Sequence, residues 1–190
     1  MNPSREEGDA GGPGIERVFA IDIAAPVERV WQEITRVGVR CRPMFGTVLA
    51  TTLTPGADLR YRSVDGRHTF VAGVILEVAA PRLLVHTFVF PNLPDRPTLV
   101  RWELAPTARG TRVTVTHSRF EGETKTFAAV RGSWPSILDL YRREIETGDV
   151  GAVATCKLAM MGALSFLLPK SLRTPVVEAK LAADPPRLER

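Results

Sequence analysis

The chain has 190 residues, enough for one domain with a real core. Its residues are 44% hydrophobic and 24% charged, ordinary for a soluble globular protein. A net charge of +4 arises from interspersed charges of both signs, with no Lys/Arg block to track phosphates, so composition argues against a nucleic-acid partner.

The start, "MNPSREEGDAGGPG", has no apolar signal segment, and its Gly, Pro, Ser and charged residues bury nothing. Residues 1–14 therefore read as a disordered lead-in. Cys41 and Cys156 lie far apart, which points to free thiols in a reducing, cytoplasmic setting. The stretch "IERVFAIDIAA" then alternates, with Phe19, Ile21 and Ile23 on one side, and predicts a strand. In "APVERVWQEIT", Val27, Val30, Trp31 and Ile34 form the stripe of a helix over 26–37, with Pro26 in its first turn and Gly38 ending it. Arg40 to Gly46 reads as an irregular or short helical piece.

From Thr47 to Phe120 the period changes to two. Strands are predicted at 48–53, 58–64, 69–78, 83–90, 99–104 and 112–120, separated by turn chemistry such as "TPGA", "VDGR" and "PTARG". Links this short favour antiparallel pairing. Charged residues alternate with apolar ones, so one sheet face is expected to be wet and the other buried. The cover comes from the 26–37 helix and from "GSWPSILDLYRREIETG", where Trp134, Ile137, Leu138, Tyr141 and Ile145 share one arc. This second helix is predicted over 133–147, with Ser133 as N-cap and Gly148 at the left-handed C-terminal position. Phe127 and Val130 extend its stripe backwards through a kink at Gly132–Pro135.

The order strand, helix, meander, long helix resembles the helix-grip fold of the START-like superfamily, which includes the birch pollen allergen, polyketide cyclases and lipid-transfer domains. Within it the chain resembles the heat-shock-protein-90 ATPase activator homologue group. "IDIAAPVERVWQEIT", "GVILEVAAPRLLVHTFVF", "GTRVTVTHSRF" and "GSWPSILDLYRREIETG" carry the likeness, across roughly residues 15–148. It implies an α+β fold, a curved antiparallel sheet wrapped around a long C-terminal helix. It does not imply co-chaperone activity, since the N-terminal domain by which eukaryotic activators grip the chaperone has no counterpart here. Nor does the fold specify a function.

The expected domain division is 1–14, 15–148 and a helical extension over 149–190. In the extension, "VGAVATCKLAMMGALSFLLP" is apolar nearly all round and must be buried in its own domain, in a second copy, or at a lipid surface. Lys157 inside the run ranks a homodimer through 150–169 above contact with a membrane surface. The segment after it reads as polar, with a short helical piece and a frayed end.

The leading functional reading is a non-enzymatic module that binds an apolar or amphipathic small molecule between sheet and C-terminal helix. Tyr61, Phe70, Phe88, Trp102, His117 and Leu138 would contact the ligand, with Trp134 and Tyr141 as the lid. The runner-up is a cyclase- or dehydratase-type enzyme using His117 or His86 as acid–base, oriented by Tyr61 or Tyr141. A third is a partner-binding protein using the apolar tail. His117 is expected on the buried face, either as a core histidine with one satisfied nitrogen or as a proton-moving group. The face of His86 is open. No catalytic triad, phosphate-binding loop or dinucleotide fingerprint is present, and the histidines and cysteines lack metal-ligand spacing, so neither cofactor nor metal is expected.

Overall fold

The computed structural model describes residues 15–153, 155–156, 168–186 and 188. The lead-in over 1–14 and most of the apolar run, residues 157–167, lie outside the described residues, so its predicted helix and dimer contact do too. Strand β1 (Ile15–Ile23) leads into helix α1 (Val27–Ile34), and then come β2 (Arg40–Cys41), β3 (Thr47–Ala50), β4 (Asp58–Arg62) and β5 (Thr69–Ala79). Strands β6 (Leu83–Phe88), β7 (Thr98–Thr107) and β8 (Gly110–Phe120) complete the sheet, followed by α2 (Lys125–Thr147), a 3₁₀ turn (Lys170–Leu172) and α3 (Thr174–Ala183). Among the described residues eight strands join one sheet in the order β1-β8-β7-β6-β5-β4-β3-β2, and every neighbouring pair is antiparallel. This is the α+β helix-grip fold, with α1 and α2 against the concave face.

The core follows the period-two pattern. Leu104, Trp102 and Val100 of β7 alternate inward, as do Val113, Val115 and His117 of β8, while Arg101 and Glu103 stay on the outer face and pair there. From α2, Phe127, Val130, Trp134, Ile137, Leu138 and Tyr141 descend onto these side chains.

Several local expectations differ from the structure. Helix α1 stops at Ile34 rather than continuing to Val37, because Val37 bridges to Leu49 and the Gly38 amide donates to the Leu49 carbonyl at 2.9 Å. Sheet pairing thus takes residues that helical periodicity had claimed. Helix α2 begins at Lys125, not Ser133, and runs through Pro135. Its N-cap is Thr124, whose hydroxyl accepts the Phe127 amide, while Asp95 accepts the Thr126 amide at 2.6 Å. Two external acceptors for the first amides make the earlier start favourable. Gly148 does end the helix, at φ 73°.

The outer face is not uniformly wet. Val177 and Leu181 of α3 are buried there against Ala72 of β5, with Val89 alongside. Arg60 and Arg62, which point outward from β4, hold Glu178 at 3.1 and 2.8 Å, and Lys180 donates to the Pro91 carbonyl. The short helical piece expected in this polar segment is therefore α3, and it is docked on the sheet. Glu178 is pulled up by partial burial, but the two guanidinium groups outweigh that and hold it below the usual carboxylate range. Among the described residues no helix is long and apolar enough to cross a membrane.

Candidate functional site

A pocket of about 180 Å³ opens between the β3–β6 half of the sheet and α2. Its buried wall is Tyr61, Val71 and Phe88 from the sheet and Val130, Trp134 and Ile137 from α2. Half-buried Phe45, Phe70, Phe90 and Ser133 form the rim, and Met44 and Thr47 close one side.

Two backbone irregularities build this wall. Tyr61 pairs with Val71 but Arg62 pairs with Thr69, so Phe70 is an extra residue in a bulge. The bulge breaks strict alternation and lets consecutive Phe70 and Val71 both face the pocket. The second is the Cys41–Thr47 turn, where Phe45 has φ 56° and Gly46 φ 73°. A left-handed Phe is costly, and surrounding bonds hold it there. The Gly46 amide donates to Cys41 O, and Thr47 donates from both its amide and its hydroxyl to Met44 O. Met44 and Phe45 are thereby presented to the cavity.

Of the eight residues named from the sequence, the structure brings Tyr61, Phe70, Phe88 and Trp134 together around the pocket. Trp102, His117, Leu138 and Tyr141 are packed in the core beside it and do not line it. Trp102 meets Trp134 edge-to-face at 5.2 Å and Tyr141 at 6.1 Å. The Tyr141 hydroxyl lies 3.3 Å from Cys41 Sγ. Leu138 is 3% exposed within the same cluster.

His117 is held by a chain of hydrogen bonds whose polarity is determined throughout. Trp134 Nε1–H donates to Nδ1 at 3.0 Å. An indole nitrogen only donates, so Nδ1 is the acceptor and the proton sits on Nε2. Nε2–H then donates to Thr98 Oγ1 at 2.7 Å, and Thr98 donates onward to the Phe88 carbonyl at 3.1 Å. Both imidazole nitrogens are satisfied, where the bland sequence reading allowed one. Burial, with a smaller contribution from His86, pushes the imidazole down to about 3, so it is neutral. His86 faces the core too: its Nδ1–H donates to Thr87 O at 2.8 Å, and burial pushes it down to about 4. Burial also raises the Cys41 thiol, which makes it a poor nucleophile.

Sequence patterning did not pick out Met44, Phe45, Thr47, Val71, Phe90, Val130, Ser133 or Ile137 as pocket residues. The usable signal was "MFGT", where an aromatic precedes a glycine in a segment without periodicity. Among the described residues no three His, Cys, Asp or Glu side chains gather as a metal site would require.

Residues 24–143 match a family model described as Activator of Hsp90 ATPase homolog 1-like protein. The chain belongs to this family. No curated protein matches it. Among solved structures, CalU16 from Micromonospora echinospora is 18% identical with a TM-score of 0.55, over 80% of this chain and 88% of that one. DynU16, a protein of the dynemicin biosynthetic locus, is 24% identical with a TM-score of 0.58, over 70% of this chain and 48% of its own. The Aha1 dimer from Colwellia psychrerythraea is 17% identical with a TM-score of 0.60, over 71% of this chain and 98% of that one. At these identities the likeness is one of fold.

Proposed function

We propose that this chain is a small-molecule binding module whose ligand enters the pocket between the sheet and α2. The observation that carries the reading is the pocket itself, with its aromatic rim and a lining that, among the described residues, contains no charged side chain. Such a lining binds by burying apolar surface, at about 25 cal/mol per Å² before the cost of ordering. The runner-up enzyme reading loses support because neither of its acid–base candidates, His117 and His86, is among the described lining residues, and His117 is neutral and doubly hydrogen-bonded. A general base must reach a substrate atom, and neither nitrogen of His117 is free to do so.

Toluene is a suitable probe, since a cavity of about 150 Å³ with apolar walls accommodates benzene. Toluene is expected to raise the melting temperature of the wild type. Ile137→Trp, which puts an indole into the pocket, is expected to abolish that rise while the protein stays folded. An equal rise in both proteins places the binding elsewhere and defeats the proposal.

A further inference from the structure

Among the described residues the pocket carries three side-chain hydroxyls, and they differ in how far they are committed. Thr47 already donates to Met44 O at 2.7 Å. Ser133 points back to the Val130 carbonyl of its own helix at 3.5 Å, the limit of a hydrogen bond. The Tyr61 hydroxyl makes no hydrogen bond to any described residue. Tyr61 is only 5% exposed, yet its oxygen is not sealed in protein. The fully occluded side-chain atoms without partners, among the described residues, all belong to Arg36, Arg62, His68, Arg142 and Glu144. Tyr61 is one of the residues that line the pocket. A phenol deep in an apolar wall with no protein partner is costly unless something in the cavity satisfies it.

We propose that Tyr61 is the polar anchor of the site, and that its ligand is a neutral molecule the size of one substituted ring with a hydrogen-bond acceptor, such as an aryl ketone. The inference rests on the reading of the pocket as a ligand site and adds the ligand's class to it. Size follows from the volume of about 180 Å³, room for a single ring with a short substituent. Neutrality follows from the lining, because a carboxylate would lose its hydration and meet no cation there among the described residues. The demand for an acceptor follows from the phenol. Burial, with the nearby Cys41 acting in the same direction, pushes Tyr61 well above its ordinary range, so it keeps its proton and donates. Tyr141 cannot take this part: it lies outside the lining and its hydroxyl is engaged with Cys41.

Acetophenone and α-methylstyrene test this as a pair. They share one shape, and the carbonyl oxygen of the first is a CH₂ in the second. Calorimetric titration of the full chain is expected to show both binding the wild type. Tyr61→Phe keeps the ring and is expected to weaken acetophenone about 5- to 10-fold, the worth of one hydrogen bond, and to leave α-methylstyrene unchanged or tighter. Retained α-methylstyrene binding shows that the variant is folded with its pocket intact. Benzoate is expected not to bind. Equal affinity of acetophenone for wild type and Tyr61→Phe overturns the anchor while leaving the binding function standing, and benzoate binding as tight as acetophenone overturns the neutral class. Failure of both neutral probes to bind the wild type overturns the pocket reading itself.

Discussion

The buried, neutral His117 makes acid stability a direct readout of the Trp134–His117–Thr98 chain. In the unfolded protein a histidine takes up a proton near its ordinary value of 6.5, whereas folded His117 resists until about 3. The unfolded state therefore binds more protons between these limits, and stability, full above the unfolded value, is lost as pH falls toward 3. At about pH 5 the unfolded group lies about 1.5 units below its midpoint, and at about 1.4 kcal/mol per unit this removes about 2 kcal/mol. His86, pushed down to about 4, titrates in the same window and removes a similar amount. Urea titrations of wild type at about pH 7.5 and about pH 5 should thus differ by about 4 kcal/mol from these two groups. His117→Gln replaces the imidazole with one acceptor for Trp134 and one donor for Thr98, so at about pH 7.5 it should cost only about 1 kcal/mol. Its fall between the two pH values should shrink by about 2 kcal/mol, since the carboxylates titrate alike in both proteins and cancel. If wild type and variant lose the same stability on acidification, His117 is not the dry, neutral group described, and the hydrogen-bond chain is refuted.

Trp134→Phe removes the donor to His117 and leaves a small void, at a cost of about 2–4 kcal/mol by urea titration; a loss under about 1 kcal/mol would make Trp134 a movable lid. Gly46→Ala meets both φ 73° and an Arg40 Nε 3.1 Å from the added Cβ, so it should cost about 1–2 kcal/mol and weaken toluene uptake; unchanged uptake would detach the Met44–Phe45 turn from the pocket. Glu178→Ala strips Arg60 and Arg62 of their shared carboxylate; it should cost about 1 kcal/mol and speed hydrogen exchange in α3, and no change would mean that apolar burial alone docks that helix. Truncation after Gly148 removes Val177 and Leu181 from the outer face and should cost about 3–5 kcal/mol. Light scattering of the truncated protein should report a monomer if residues 150–169 join two copies, whereas flotation of the intact protein with liposomes would point to lipid instead.

Sequence by itself determined the fold class. Period two over β3–β8 and a 3.6-residue stripe from Trp134 to Ile145 each concern neighbours along one element, and those neighbours are set by local geometry. For the same reason it determined that Trp102 and His117 face inward and that Gly148 ends α2. Tertiary structure alone decided where α1 gives way to the Val37–Leu49 bridge, because that partner lies on another strand. It decided that α3 docks on β4 and β5, since Glu178 meets Arg60 across a long stretch of chain and nothing local marks the pair. Packing also divided the aromatic residues. Trp102 and Tyr141 fill the core, while Tyr61 and Trp134 border the pocket, and a one-residue bulge at Phe70 and a left-handed Phe45 bring Phe70 and Phe45 to it as well. Hydrophobic patterning records that a side chain leaves water, and it is blind to whether another side chain meets it there.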